Sequence, residues 1–124
     1  MALRFVLDEH LRGGGLWQII QQHNAQGLHL VDTVRVGDPA DLPLGSADPD
    51  VLIWAERKGR ILLSRDYHSL PGFLFQHLQR GRHSPGVFLL RSHASLSSLL
   101  TDLIVTAHAG DAADFQDIIR VIPF

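Results

Sequence analysis

Short apolar runs alternate along this chain with amphipathic segments, and the alternation predicts strands connected by helices. Strands are predicted over 3–7, 28–36, 60–64, 87–90 and 118–122. Helices are predicted over 16–23, 48–58, 71–82 and 95–109. The run 28–36 places Leu28 and Leu30 on the buried face of its strand. Such alternation is typical of right-handed βαβ units, which predicts an α/β fold with a parallel sheet covered by helices on both faces.

The helix over 48–58 carries the clearest local signals. Asp48 is expected to be its N-cap and Pro49 its first helical residue, because these residue types favour those positions. Helical spacing puts Trp54 among its buried positions.

Size and composition narrow the class of protein. The 124 residues are 45% apolar and suit a single domain over 1–124. The absence of cysteine excludes disulfides, thiol nucleophiles and cysteine-bound zinc. A net charge of −2 lacks the basic excess of dedicated nucleic-acid binders. Asp8 and Glu9 interrupt the first apolar run, so neither a signal peptide nor a membrane segment is expected, and the predicted location is the cytoplasm.

Acidic residues follow the predicted strands at the points where the strands end. Asp8 and Glu9 follow the first strand, Asp66 follows the third, and Asp48 and Asp50 begin the helix after the second. The carboxyl ends of parallel strands meet at one edge, where sites form in open α/β sheets. Converging carboxylates suit Mg²⁺ or Mn²⁺, and their mutual repulsion should raise the pKa of at least one.

Structural roles compete with this interpretation at three of the positions. Asp48 is explained equally well as a helix cap, Asp50 as a partner of the helix dipole and Asp66 as a turn former. At Asp8 the competing explanation is weaker, because a carboxylate ending a buried strand is costly unless it is paired or metal-bound. Asp8 should face the crevice, so Asp8→Asn is expected to leave the fold intact.

Two histidines extend the candidate site. His10 and His68 adjoin the acidic residues and could contact a phosphate or bind a metal. The glycines at 13–15 lack the Lys-Ser/Thr of a P-loop, and no GxSxG nucleophile motif is present.

Five segments in order resemble the short bacterial PIN-like domain proteins. They are Leu7-Asp8-Glu9-His10, Arg35-Val36-Gly37-Asp38, Asp48-Pro49-Asp50-Val51-Leu52-Ile53-Trp54-Ala55, Ile61-Leu62-Leu63-Ser64-Arg65-Asp66 and Ser84-Pro85-Gly86-Val87-Phe88-Leu89-Leu90-Arg91. The resemblance runs from about Arg4 to Pro123. It implies a PIN-like three-layer sandwich, in which a central, mostly parallel sheet of four to five strands has helices on both faces.

The same resemblance implies a function and its residues. It implies an endoribonuclease that depends on Mg²⁺ or Mn²⁺, often the toxin of a toxin–antitoxin pair, with Asp8, Asp48 and Asp66 as metal ligands and Asp50 as second choice for the helix-start acid. Many relatives carry another acid where this chain has His68. The larger nucleases carry one after strand four, where this chain has Arg91-Ser92-His93.

The leading functional hypothesis is therefore metal-dependent RNA cleavage by a metal-bound water. Arg12 or Arg65 would neutralise phosphate charge, and the expected partners are RNA and a small antitoxin protein, with a homodimer also compatible. The alternative is a catalytically silent PIN-like module that binds RNA or protein. A receiver-like phosphate acceptor is a poorer third, because it would require a lysine after a late strand and Lys58 is the only lysine.

Overall fold

The computed structural model describes residues 2–124, which form one five-stranded sheet and four α-helices. The strands are β1 (Arg4–Leu7), β2 (Thr33–Arg35), β3 (Arg60–Ser64), β4 (Val87–Leu90) and β5 (Ile119–Ile122). The helices are α1 (Leu16–Asn24), α2 (Asp48–Lys58), α3 (Leu70–Gln79) and α4 (Leu96–Ala109). Every strand pair is parallel, and the strand order is β2-β1-β3-β4-β5.

Helices cover both faces of the sheet, so the predicted α/β sandwich of three layers is confirmed. α1 and α4 pack on one face against Phe5, Leu63 and Phe88. α2 and α3 pack on the other face against Val6 and Leu62. Successive residues of a strand point to opposite faces. The central strands therefore read as continuous apolar runs, because both of their faces are buried.

The connection from β4 to β5 has the opposite hand to the other three. The connections β2→β3 and β3→β4 both move across the sheet toward β5, and their helices, α2 and α3, lie on one face. The connection β1→β2 moves across the sheet in the other direction, and its helix α1 lies on the opposite face. These three connections therefore share one hand. The step β4→β5 also runs toward the β5 edge, but α4 lies on the face of α1 and packs beside it on the apolar residues of that face. The expectation that all the βαβ units are right-handed is therefore wrong, because the four connections do not share one hand.

The second strand is shorter than predicted. β2 covers only Thr33–Arg35, and Leu28 and Leu30, expected on its buried face, are 69% and 51% exposed. The side chain of Asn24 explains the difference. Its amide donates to the carbonyl of Val31 at 2.9 Å and its oxygen accepts the Val31 N–H at 2.8 Å. These bonds satisfy the backbone of Val31 without a strand partner.

Helix boundaries differ from the predictions where backbone geometry intervenes. α3 ends at Gln79, three residues before the predicted end, and Gly81 follows at φ +78° in the left-handed region that stops a helix. α4 begins at Leu96, because Ser95 caps it by accepting the Ser98 N–H. Within residues 2–124, no helix combines the length and apolar character needed to cross a membrane.

Candidate functional site

Asp8 directly follows β1 and is a buried residue whose two carboxylate oxygens each accept a hydrogen bond. Its side chain is 8% exposed. Oδ1 accepts the backbone N–H of Glu9 at 2.7 Å, which caps the 3₁₀ turn Glu9–Leu11. Oδ2 accepts the hydroxyl of Ser64 at 2.8 Å. These donors offset the cost of burying a charge at the end of an apolar strand.

Ser64 connects the ends of β1 and β3, two neighbouring strands. It is fully buried, donates to Asp8, and accepts the backbone N–H of Asp66 at 3.0 Å. From β1 the chain continues to β2 on one side, whereas β3 lies on its other side. That reversal opens a crevice at the carboxyl ends of the strands, which is where doubly wound sheets bind ligands. Asp8 and Asp66 both border this crevice.

Asp66 performs the turn role that its sequence position suggests. Its Oδ1 accepts the backbone N–H groups of His68 at 3.1 Å and Ser69 at 2.8 Å, which organises the turn leading into α3. The side chain is half-buried. Because both bonds reach Oδ1, the turn role leaves Oδ2 available to a ligand.

Asp48 is the first residue of α2 and does not cap it. The N-cap is Ala47, in extended geometry at φ −70° and ψ 148°, and Pro49 is the second helical residue. The capping prediction is therefore wrong. Burial raises the pKa of the Asp48 carboxyl, the charges of Asp8 and Asp66 raise it further, and His10 acts in the opposite direction. No hydrogen bond contributes to this shift.

A folded loop delivers Asp48 to the crevice. After β2 the chain turns at Gly37, whose N–H donates to the carbonyl of Leu42 at 2.8 Å. A side chain at Gly37 would lie 2.5 Å from Leu44, and its φ of +103° favours glycine. Glu9, a secondary metal candidate, accepts the N–H of Gly45 at 2.7 Å. Its carboxylate therefore ties the loop before α2 to the turn after β1.

Arg12 is held by protein groups. Its Nη1 donates to the carbonyl of Val36 at 2.9 Å and to Asp38 at 3.0 Å. The pKa of Asp38 lies below its ordinary value. A hydrogen bond from Arg35 is the largest cause, Arg12 lowers the pKa further, and burial acts in the opposite direction. The structure thus gives Arg12 a structural partner. Arg65, the other candidate for phosphate binding, is exposed and has no ion pair within residues 2–124.

The remaining candidates occupy different surroundings. Asp50 is exposed on the first turn of α2. His10 is exposed but close enough to Asp48 for its charge to act on that carboxyl. His68 is exposed and touches Asp66 through its backbone. Of these three side chains, only His10 is shown to influence the acidic group.

Two further features lie away from the acids. Lys58 ends α2 at the end of the sheet where the strands begin, and its Nζ lies 3.5 Å from Asp41. A receiver-like phosphate acceptor would need its lysine at the other end, beside the acids. The largest cavity described, about 290 Å³, also opens where the strands begin, between Arg4, Glu56 and His83. The candidate site is therefore an open crevice and not this cavity.

The three carboxylates have the chemistry of a divalent-cation site without forming a compact one. Within the described residues 2–124, no three His, Asp or Glu side chains are grouped closely enough to hold a metal ion. Mg²⁺, however, is usually bound by one or two carboxylates together with several waters. A half-buried carboxyl whose pKa is raised by Asp8 and Asp66 is a group that a cation would stabilise in its charged form. The residue types at this edge therefore fit the ion.

Comparisons with family models, with curated proteins and with solved structures find no match. The resemblance to PIN-like proteins stays a prediction.

Sequence reasoning overlooked Ser64. The available signal was a hydroxyl at the end of the apolar run Ile61-Leu62-Leu63, level with the residue after β1 once the two strands are paired in register.

Proposed function

We propose that this chain is an endoribonuclease that depends on Mg²⁺ or Mn²⁺. One observation carries the proposal: the pKa of Asp48 is raised by burial and by the charges of Asp8 and Asp66. Asp8, Asp48 and Asp66 come from three separate segments, and the charges of Asp8 and Asp66 act on the Asp48 carboxyl at the end of the sheet where ligands bind in doubly wound folds. A carboxyl with a raised pKa beside two other acids at this end of a sheet is typical of functional sites.

Each acid has a distinct part in this proposal. Asp8 is the fixed ligand, because the Ser64 hydroxyl and the Glu9 N–H hold its side chain in one orientation. Asp48 is the ligand whose protonation depends on the cation. Burial and the neighbouring charges disfavour its charged form, and a bound cation would stabilise that form. Asp66 offers Oδ2 from the side of β3. A cation held here would neutralise phosphate charge and lower the pKa of a bound water.

The substrate proposed is RNA, and a small antitoxin protein is the proposed regulator, in keeping with the resemblance to PIN-like proteins. The alternative is a catalytically silent module that binds RNA or protein. This alternative is favoured by one observation, that both oxygens of Asp8 already accept hydrogen bonds from the protein.

Asp48→Asn and Asp50→Asn form the matched pair that tests the nuclease. Both positions lie in the first turn of α2, where Asp50 is exposed and the charges of Asp8 and Asp66 act on the half-buried Asp48 carboxyl. Asp48→Asn should lower the rate of Mn²⁺-dependent RNA cleavage by about a hundredfold or more, the usual loss on removing one key electrostatic group. Asp50→Asn should cleave as the parent does. EDTA should abolish cleavage by both.

The melting temperature distinguishes the two functions. Mn²⁺ should raise that of the parent chain, because a ligand that binds only the folded state stabilises it. Equal cleavage by the parent and Asp48→Asn would place the activity elsewhere. A parent chain that neither cleaves RNA nor melts higher with Mn²⁺ would refute the nuclease and favour the silent module.

Asp8→Asn is a less clean probe than the sequence suggested. An asparagine at position 8 would turn its NH₂ toward one of two hydrogen-bond donors, the Glu9 N–H or the Ser64 hydroxyl. The variant is therefore expected to lose stability as well as charge, and a melt must accompany any loss of cleavage.

A further inference from the structure

Positive charge is distributed unevenly around the acidic crevice. On the β1–β2 side, Arg12 and Arg35 both pair with Asp38. On the other side, Arg65 directly follows β3 and Arg91 directly follows β4, and both are exposed. Within residues 2–124 neither takes part in an ion pair. The Nε of Arg91 donates to the carbonyl of Pro123, a neutral partner that leaves its charge uncompensated.

A fixed and exposed aromatic ring connects these two arginines. Tyr67 donates its hydroxyl to the carbonyl of Leu90 at 3.0 Å and its backbone N–H to the carbonyl of Arg65 at 3.0 Å. The residue is nevertheless 46% exposed. Because the hydroxyl is anchored to the end of β4, the ring is held in place with little conformational freedom left to lose on binding.

We propose that Arg65, Tyr67 and Arg91, here named the β3–β4 rim, bind single-stranded RNA. The arginines would contact phosphates, and a base would stack on the tyrosine ring. Unpaired bases stack on exposed aromatic side chains, whereas the bases of a duplex are already stacked on one another. The rim therefore selects single strands. The inference deepens the proposed nuclease and rests on it for the identity of the substrate.

The position of the rim supports RNA over a protein partner. Asp66 lies in sequence between Arg65 and Tyr67, so a strand bound along the rim passes directly beside the acidic crevice. Carboxylates repel a phosphate backbone, and uncompensated guanidinium groups next to them supply the opposing attraction. The pairing of Arg12 and Arg35 with Asp38 leaves the β1–β2 side without an equivalent source of charge.

Fluorescence anisotropy with labelled RNA of about 12 nucleotides, within the usual span of single-strand sites, tests the rim. EDTA is present throughout, so that binding is measured without cleavage. Tyr67→Ala should weaken binding by roughly 5- to 100-fold, the usual effect of losing one stacked base. Tyr67→Phe keeps the ring but loses the hydroxyl that anchors it to the Leu90 carbonyl, so its affinity should lie between those of the parent chain and Tyr67→Ala.

Salt dependence reports the arginines separately. Arg65→Ala and Arg91→Ala should each reduce the slope of log Kd against log salt concentration by about 0.7, the value for one phosphate contact in a single strand. The matched control is Arg80→Ala, an exposed arginine just after α3 at the other edge of the sheet, which should leave the slope unchanged. Thermal melts of every variant verify folding.

Several outcomes would overturn the proposal. The first is no RNA binding by the parent chain up to about 100 µM, the weak limit of non-specific binding. The second is equal affinity for a duplex of the same sequence. The third is an equal reduction of the salt-dependence slope in Arg80→Ala and Arg65→Ala. Unchanged RNA affinity in Tyr67→Ala would also overturn the proposal. If the rim binds only protein, the parent chain will show no RNA binding.

The rim and the nuclease fail in different ways. A chain that binds RNA through the rim but does not cleave it with Mn²⁺ would refute the nuclease alone. A chain that cleaves RNA with unchanged KM in all three rim variants would refute the rim alone.

Discussion

The hydroxyl of Ser64 donates to Oδ2 of Asp8 at 2.8 Å, with both residues buried. The two residues are 56 positions apart in the chain, and only the pairing of β1 with β3 brings them together. Since the same hydroxyl oxygen accepts the Asp66 N–H, this one side chain sets the separation of two of the three acids. Ser64, which has no acid–base role of its own, therefore links the Asp8 side chain to the backbone of Asp66 through hydrogen bonds.

Removal of the Ser64 hydroxyl should destabilise the fold. Ser64→Ala deprives a buried carboxylate of one donor, and about 1–3 kcal/mol is the usual cost of leaving such a group unsatisfied. Urea unfolding measures the change. Ser97→Ala, at an exposed position, should stay within about 0.5 kcal/mol of the parent.

A double-mutant cycle isolates the contact between Ser64 and Asp8. Their substitutions should couple by more than about 0.5 kcal/mol, because each removes one half of the same hydrogen bond. Simple additivity of Ser64→Ala and Asp8→Asn would show that the bond contributes nothing.

Asp48→Asn should stabilise the protein at neutral pH. Because the pKa of Asp48 is raised in the folded chain, the folded state holds this proton more tightly than the unfolded state does. Stability therefore falls as pH rises from the ordinary value of 3.8 through the folded pKa, and the carboxylate is a net cost above it. Asparagine removes that cost.

Melting temperatures across the acidic range check this prediction. The advantage of Asp48→Asn should shrink as pH falls toward 3.8. Asp50→Asn, at an exposed position in the same helical turn, controls for the general effect of removing one negative charge from the start of α2. A constant difference between Asp48→Asn and the parent at all pH values would contradict the coupling.

Trp54 should be a main anchor of α2. It is 4% exposed, as its helical spacing predicts, and its Nε1 donates to Asp41 at 2.9 Å. Trp54→Ala should cost about 3–5 kcal/mol in unfolding free energy. Trp54→Phe should cost less, because it keeps an aromatic ring in the core.

Asp41 offers an independent readout of the same contact. The hydrogen bond from Trp54 is the largest cause that lowers the pKa of Asp41. In Trp54→Phe that pKa should move up toward its ordinary value, which an NMR titration of the carboxyl measures. An unchanged titration would mean that the bond does not persist in solution.

The pair His83–Asp117 should make stability depend on pH near neutrality. A hydrogen bond from His83 Nδ1 to Asp117 at 2.8 Å, followed by the charge of Asp117, raises the pKa of His83, and Glu56 adds to the effect. A raised histidine pKa gives stability that is complete below 6.5 and is lost as pH rises through the folded pKa. The His83 side chain is 66% exposed, so solvent screening keeps the effect small.

His83→Gln should flatten the melting temperature over that pH window. The backbone N–H of position 83 still donates to Glu56, so the loop keeps its other bond. Asp117 has a φ of +64°, and Asp117→Asn is the suitable second variant because asparagine tolerates this region. Identical pH profiles for parent and His83→Gln would contradict the prediction.

The sequence alone determined the order of the elements and the edge at which the acids gather. Central strands such as β3 are buried on both faces and must be apolar throughout, so their extent is visible as a run of residues. Asp8 and Asp66 follow such runs directly, and parallel strands bring their carboxyl ends to one edge. Both facts depend on local pattern, and local pattern reports burial and period.

Only the tertiary structure decided which strands are neighbours, which face α4 covers and how each acid is held. The hand of the last connection depends on which face of the sheet α4 packs against, a property of the assembled sheet. The role of Ser64 depends on a partner 56 residues away in the chain. Asp48 differs from its expected cap by a single position at the start of α2. A hydrogen bond requires a particular partner at about 3 Å. The chain supplies that partner only after β1, β3 and α2 have packed.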